Sequence, residues 1–334
     1  TETIAYMVTR ERLKAASIEE ALCRAMYVLE GAYSIVLMSP QKLLCARDPY
    51  GFRPLCYGKT EDGSYIIASE SCAIQAVGGE VIRDVEPGEI LVFSGKEPVS
   101  IREHCKKREK KLCVFEHIYF ARPDSRIDGV SVQASRIRAG RILAQESPCR
   151  ADLVIGAPDS GLDAALGFSR ESGISYGVGL IKNKYIGRTF ISPGQQERLD
   201  SIRIKLSVVV RGRRIVLVDD SIVRGNTMGR VVRLLREAGA EEVHVRVSSP
   251  PFLHPCYYGT DIDSEEHLIA SRHTQEEIRN LIGADSLGYF PGHRLAELTE
   301  GGGFCSACFD GNYPTRVPVD IRKDRFEKRI SEKE

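Results

Sequence analysis

The stretch Arg214-Ile-Val-Leu-Val-Asp-Asp-Ser-Ile-Val-Arg-Gly-Asn-Thr227 runs four apolar residues, Ile215 to Val218, directly into two adjacent aspartates. A short polar loop follows, and then the periodic run Met228-Gly-Arg-Val-Val-Arg-Leu-Leu-Arg-Glu-Ala-Gly239. A brief, unbroken apolar run marks a strand buried on both faces of a parallel sheet. The spacing of Val231, Leu234, Leu235 and Ala238 predicts a helix with one apolar face, stopped by Gly239. Two carboxylates therefore belong at the carboxyl end of a strand, beside a helix N-terminus with unsatisfied N–H groups. Open α/β sheets bind ligands at that edge, and helix N-termini favour anions.

The chemistry of the run can be stated directly. Ionised Asp219 and Asp220 only accept hydrogen bonds, so they suit the two ribose hydroxyls of a sugar phosphate. The main-chain N–H groups of Val223, Arg224, Gly225, Asn226 and Thr227, with the Thr227 hydroxyl, suit a 5′-phosphate. Asp-Asp alone also fits an ordinary strand-to-helix turn. Adjacent acids at a buried strand end are costly unless used, however, and the run as a whole resembles the phosphoribosyl pyrophosphate (PRPP) loop of type I phosphoribosyltransferases.

Composition limits the alternatives. A chain of 334 residues is long for one domain, and its 42% hydrophobic and 28% charged content is that of a soluble globular protein. A net charge of +1 gives no polyanion footprint and argues against a nucleic-acid or membrane surface. No apolar run approaches the ~18 residues of a membrane span. The polar start Thr1-Glu-Thr does not read as a signal peptide. Ten scattered cysteines do not form a secreted disulfide framework, so a cytoplasmic protein with thiols free for metal is expected.

Two differently built regions follow one another. Ser17 and Glu20 form a capping-box pattern opening an amphipathic helix that should end near Gly31. Strand signals at 32–38, 43–46, 65–68 and 88–93, separated by Ser39-Pro40, Asp62-Gly63 and Glu86-Pro87-Gly88, predict an antiparallel sheet with flanking helices. The charged run 104–111 is a boundary or simply a solvated face. From about Arg136 helices alternate with apolar strands at 152–156, 175–181, 214–218 and 243–248, the pattern of a doubly wound parallel sheet.

Two further segments point to the same site. Val154-Ile-Gly-Ala-Pro-Asp-Ser-Gly161 ends a strand in a polar turn before a helix starting near Leu162, and such a turn can offer N–H groups and Ser160 to pyrophosphate or its Mg²⁺. Strand–turn–helix junctions commonly use these residues, so the turn alone is a weak signal. The basic, Pro193-Gly194-punctuated segment 182–205 has the length of a lid. Its Lys184, Arg188, Arg203 and Lys205 suit closure over a pyrophosphate leaving group, and a solvated surface loop is the alternative.

Taken together, Phe115-Glu-His-Ile-Tyr-Phe-Ala-Arg-Pro-Asp-Ser125, Gly179-Leu-Ile-Lys-Asn-Lys-Tyr-Ile-Gly-Arg-Thr-Phe-Ile191, Val216-Leu-Val-Asp-Asp-Ser-Ile-Val-Arg-Gly225 and Val247-Ser-Ser-Pro-Pro251 resemble the glutamine PRPP amidotransferase family. Asp48-Pro-Tyr-Gly-Phe-Arg-Pro-Leu55 and Ala68-Ser-Glu-Ser-Cys72 resemble the later half of its N-terminal-nucleophile glutaminase domain. The resemblance covers nearly the whole chain. It implies an α/β protein: part of an αββα glutaminase domain at 1–110, then a type I phosphoribosyltransferase domain with a doubly wound parallel sheet at 111–334.

The implied activity joins PRPP to glutamine-derived ammonia, giving phosphoribosylamine for purine synthesis. The resemblance places PRPP on Asp159, Ser160, Gly161, Asp219, Asp220, Ser221 and 223–227, and Mg²⁺ on Ser160, Asp219 and Asp220. It assigns Lys184, Arg188 and Lys205 to the catalytic lid. Purine nucleotides as feedback inhibitors and a homo-oligomer are expected with it.

Cys305-Ser-Ala-Cys308, in a glycine-rich tail, could by itself be structural, redox-active or half a metal site. Cys113 and Cys256 fall where the cluster-bearing branch of the family places its other two ligands, so the resemblance implies a [4Fe–4S] cluster on Cys113, Cys256, Cys305 and Cys308. Four cysteines also suit Zn²⁺. Cys23, Cys45, Cys56, Cys72, Cys105 and Cys149 read as buried small apolar residues, and the seven histidines show no ligand spacing.

The sequence departs from the family in three places. The family's catalytic N-terminal Cys has no counterpart, because Thr1-Glu-Thr-Ile-Ala-Tyr aligns with an interior stretch and Cys23 lies in a helix. A fragment or truncated product, using free ammonia but not glutamine, is the expectation. The segment 205–211 is shorter than the family's connection from lid to strand. Asn226 stands where Thr is common, which keeps a helix-capping side chain. Two other readings compete: an inactive PRPP- or nucleotide-binding regulator, and a partly folded remnant exposing a large apolar sheet face.

Overall fold

The structure, a computed structural model, describes residues 2–181, 208–262 and 264–317. Thr1 and the expected lid residues Lys184, Arg188, Arg203 and Lys205 lie outside the described residues, as does the start of the short segment 205–211.

The first region opens with helices α1 (Glu2–Arg12) and α2 (Ile18–Met26). The Ser17 hydroxyl accepts from the Glu20 N–H at 3.2 Å, as its cap pattern predicts. The return bond differs: Glu20 accepts from the Ala16 N–H, one residue before the expected partner. The helix also stops short of Gly31. Val28 N–H bonds to Ala25, tightening the last turn, and Tyr27 leaves the helix to meet Glu103.

Strands β1 (Ser34–Met38), β2 (Leu43–Arg47), β6 (Ile90–Phe93) and β7 (Val99–Ile101) form one antiparallel sheet in the order β1-β2-β6-β7. A second has β3 (Cys56–Lys59) between β4 (Tyr65–Ala68) and β5 (Glu80–Asp84). Leu44, Ala46, Ile90 and Val92 turn one face of the first sheet to Val8, Leu22, Ala25 and Met26 of the helices. Cys45, Leu91 and Phe93 turn the other to Leu55, Tyr57 and Val85 of the second sheet. Helix α3 (Ser71–Ala76) sets Ile74 against Gly58 and Gly79 of that sheet, which completes an αββα sandwich. Three of these strands were not expected. The first carries Gly58, the second is mostly exposed, and the third is three residues long, so none shows a clean two-residue period. On β1, Val36 and Met38 are exposed.

The second region is built on a parallel sheet, β11 (Leu153–Gly156), β12 (Arg214–Asp219), β13 (Glu242–Val247) and β14 (Ser286–Tyr289), in that order. The run 175–181 is not a strand. It meets β11 only through a bridge between Tyr176 and Val154, and Gly177 and Gly179 replace the side chains a longer ladder would pack. The fourth strand, with Gly288 in a four-residue run, had no apolar signal. Alternation divides the core: Val216 and Val218 pack towards α4 (Val132–Glu146) and α5 (Gly161–Ser172). Ile215 and Leu217 pack towards α6 (Asn226–Glu237) and α7 (Gln275–Ile282), so the sheet is covered on both sides as expected. Helix α6 buries Met228, Val231, Val232 and Leu235, while Leu234 and Ala238 are half-buried because the apolar face is turned towards Val232.

Helices α4 and α5 approach through paired glycines. A Cβ on Gly140 would lie 1.8 Å from the Ala164 carbonyl, and one on Gly167 would lie 1.9 Å from that of Ile137. The two regions meet in a polar seam. Arg47, fully buried, donates to both Asp128 oxygens at 2.7 and 3.0 Å, and Lys110 reaches the same carboxylate at 2.8 Å. Arg53 pairs with buried Glu116 at 2.6 Å, and Phe52 stacks on Tyr258. Gly140→Ala is expected to cost about 1–3 kcal/mol, by overpacking this helix contact. Urea unfolding followed by circular dichroism checks it; an unchanged midpoint would show that the helices separate freely.

Candidate functional site

The carboxyl ends of β11 and β12 bring the two polar turns together. The Ala157 N–H donates to the Val218 carbonyl at 2.8 Å, and a Cβ on Gly161 would lie 2.4 Å from that same oxygen. Only glycine allows the 157–161 turn to rest on the end of β12. The Ser160 hydroxyl then donates to Asp220 at 2.5 Å, with Ser221 donating to the other oxygen. Asp219 accepts from the Asp220 N–H at 2.9 Å. The Pro158–Asp159 peptide is cis.

Both carboxyls sit above the ordinary aspartate range. Burial raises Asp219, and the neighbouring Asp220 charge raises it further. Burial raises Asp220 too, opposed by hydrogen bonds from Ser160 and Ser221 and by the charge of Arg136. Arg136 is the residue that sequence reasoning missed. It is 3% exposed and donates to the carbonyls of His117, Tyr119 and Ala121. A signal was present, since Val132, Arg136, Ala139 and Leu143 share one helical face and a charge among core positions has work to do.

The loop after Asp220 is held by a bond from the Ile269 N–H to the Val223 carbonyl at 2.9 Å. Gly225, at φ +81, is the N-cap of α6, and no side chain caps the helix. Asn226 is therefore the first helical residue and not the cap expected of it, because the left-handed turn at Gly225 moves the helix start forward by one. Asn226 and Thr227 are exposed, at a helix end that leaves N–H groups for a ligand. Asp159, Ser160, Gly161 and 219–227 thus share one sheet edge; the lid residues lie outside the described residues.

Residues 134–254 match the model of the phosphoribosyl transferase domain family, and residues 2–76 match that of the glutamine amidotransferase domain family. An amidophosphoribosyltransferase of Archaeoglobus fulgidus is 48% identical over 325 residues, covering 95% of this chain and 71% of the relative. That of Bacillus subtilis is 45% identical, with 96% and 68% covered. This chain belongs to the amidophosphoribosyltransferase family. The solved B. subtilis glutamine PRPP amidotransferase, complexed with ADP and GMP, superposes with a TM-score of 0.85 at 45% identity, over 96% of this chain and 71% of that one.

The segments carrying the four cysteines that the family resemblance singled out are brought together. Cys113 and Cys305 are partners in the parallel pair β8 (Leu112–Cys113) and β15 (Phe304–Cys305). The Leu253 and His254 N–H groups bond to the Cys308 carbonyl, which draws the Cys256 segment onto the Cys-x-x-Cys turn. Burial pushes Cys305 up to about 11 and Cys308 well above the usual thiol range, with the other cysteines of the set adding to it. Tetrahedral Zn²⁺ with ~2.3 Å bonds needs thiolates about 3.8 Å apart. Among the described residues, no three of these sulfurs come within 4.8 Å of one another.

The raised aspartates carry a stability consequence. Their folded pKa exceeds the unfolded one, so the fold binds more protons and loses stability as pH rises through the interval between the two values. Asp219→Asn is expected to raise the ligand-free melting temperature near pH 7 and to leave it unchanged below the ordinary aspartate range. Calorimetry at both pH values tests this, and a lower melting point near neutrality contradicts it.

Proposed function

We propose that the chain carries out the family's PRPP-dependent step, with 1–110 as the glutaminase-type domain and 111–334 as the phosphoribosyltransferase domain with its cysteine-bearing tail. The observation that carries the reading is the Ser160–Asp220 contact, which joins the two turns into one site. Asp219 and Asp220 accept from the ribose hydroxyls, and the N–H groups of 223–227, with Ser221, hold the 5′-phosphate. Asp159, Ser160 and Gly161 face the pyrophosphate. Mg²⁺ on Ser160, Asp219 and Asp220 supplies charge neutralisation for a polyphosphate.

Ammonia attacks the anomeric carbon; a C–N bond forms, the C–O bond to pyrophosphate breaks, and the nitrogen loses a proton. Lys184, Arg188 and Lys205 serve the leaving group from the lid. The amidophosphoribosyltransferase relatives, similar over nearly the whole chain, favour an active site over an inactive regulator. With ammonium as nitrogen source, Asp219→Ala is expected to reduce pyrophosphate release from PRPP by at least about 10²-fold. Retained turnover would remove the aspartate pair from the reaction.

Purine nucleotides are proposed feedback inhibitors on the strength of the relative complexed with ADP and GMP, and a cytoplasmic homo-oligomer is proposed from the family resemblance. Among the described residues, no helix is long and apolar enough to cross a membrane. Cys113, Cys256, Cys305 and Cys308 are proposed to hold a [4Fe–4S] cluster, supported by a soft ligand set spread too widely for one zinc ion. Such a cluster ties three chain segments together. Iron and sulfide analysis with visible absorption should find it in the wild type and not in Cys308→Ser; stoichiometric zinc in place of iron overturns the assignment.

A further inference from the structure

A second group of metal-ligand side chains lies far from that quartet, in the αββα region. Cys23 on α2 places its sulfur 3.2 Å from a Glu103 carboxylate oxygen and 3.4 Å from the Nε2 of His104. All three ligand atoms lie within 4.8 Å of one another, the one such group of three among the described residues. Cys23 and His104 are 6% and 3% exposed, while Glu103 is exposed, so the group opens to solvent on one side.

The geometry is held from outside the group. Gly88, at φ +80, packs so tightly under the His104 carbonyl that a Cβ there would lie 2.3 Å away. The Tyr27 ring meets the His104 ring edge-on at 4.3 Å. The Tyr27 hydroxyl donates to the second oxygen of Glu103 and accepts from Lys107 at 2.9 Å. Such outer partners fix ligand orientation at metal sites. A simple buried cysteine, as the sequence suggested for Cys23, needs none of them.

We propose that Cys23, Glu103 and His104 form a binding site for a borderline divalent transition ion of the Zn²⁺ or Co²⁺ class, with the solvent side left for water. Thiolate, imidazole and carboxylate together are a ligand set for such ions, and three protein ligands plus one open position is a common zinc arrangement. The Nε2 bonds to the Cys23 carbonyl at 2.8 Å and the thiol donates to Glu103. On binding, the His104 ring shifts its N–H to Nδ1 and gives its Nε2 lone pair to the ion. The sulfur–metal bond replaces the S–H bond, and that proton goes to solvent.

Burial, with the hydrogen bond and charge of Glu103 adding to it, pushes the Cys23 thiol up to about 12, so the sulfur is a thiol near neutrality. Burial lowers His104, leaving the imidazole neutral, and the Tyr27 and Cys23 hydrogen bonds keep Glu103 ionised. The ion therefore displaces one proton, and its affinity rises with pH. The charges facing the group are Lys107 and Glu20.

The full-length protein titrated with Co²⁺ near pH 7.5, read by thiolate-to-cobalt absorption, tests the site. Variants Cys23→Ser, His104→Ala and Glu103→Gln are compared with Cys305→Ser, which reports on the other cysteine group. One cobalt equivalent with tetrahedral absorption, retained in Cys305→Ser and lost or weakened by more than about 10-fold in the other three, is expected. Equal binding in wild type and Cys23→Ser overturns the proposal. Glu103 is exposed, so Glu103→Gln should keep its circular dichroism and thermal midpoint without metal; if that folded variant binds Co²⁺ like wild type, the three-ligand site is wrong.

Discussion

The site depends on how closely the ends of β11 and β12 can approach. Parallel strands lie side by side whatever follows them, but two polar turns at their ends normally diverge to accommodate side chains. Here Gly161 carries none, and the 157–161 turn settles against the Val218 carbonyl. That contact delivers Ser160 to Asp220 and turns two separate loops into one concave edge. The paired glycines of α4 and α5 extend the same logic, since α5 starts at Gly161 and must lie close against α4. A backbone contact at the strand end thus sets where a whole helix pair sits.

Charge is arranged around that edge in layers. Asp220 is buried and Asp219 half-buried; desolvation raises both, and the Asp220 charge raises Asp219 further. Arg136 opposes this from α4, while its guanidinium also caps the carbonyls of the turn at 116–121. The same turn carries Glu116, paired with Arg53 of the αββα region. A buried ion pair is a poor source of stability, yet breaking one by removing a partner is costly. Removing either partner of a seam pair is therefore expected to cost more than the intact pair adds.

Much of this was legible in the sequence. The apolar run, the paired acids and the periodic helix placed β12, its loop and α6 correctly, because a buried parallel strand and an amphipathic helix have unmistakable periods. The αββα sandwich followed from the family resemblance and is present, although β3, β5 and β7 left no period to read. The run 175–181 was misread, since an apolar stretch interrupted by glycines cannot sustain a ladder. The helix cap was off by one because φ at Gly225, and not side-chain chemistry, decides it.

The sequence by itself determined the chemistry of the sheet edge: the carboxylates, the N–H-rich loop and the order in which they follow a strand are local facts. Resemblance alone grouped Cys113, Cys256, Cys305 and Cys308 as an expected ligand set. Only the tertiary structure decided which distant groups meet. Arg136 faces Asp220 across 84 residues, and Cys23 meets Glu103 and His104 across about 80, because sandwich and sheet packing bring them together. Periodicity reports which face a residue takes, whereas the partner on that face is fixed by close packing of elements far apart in the chain.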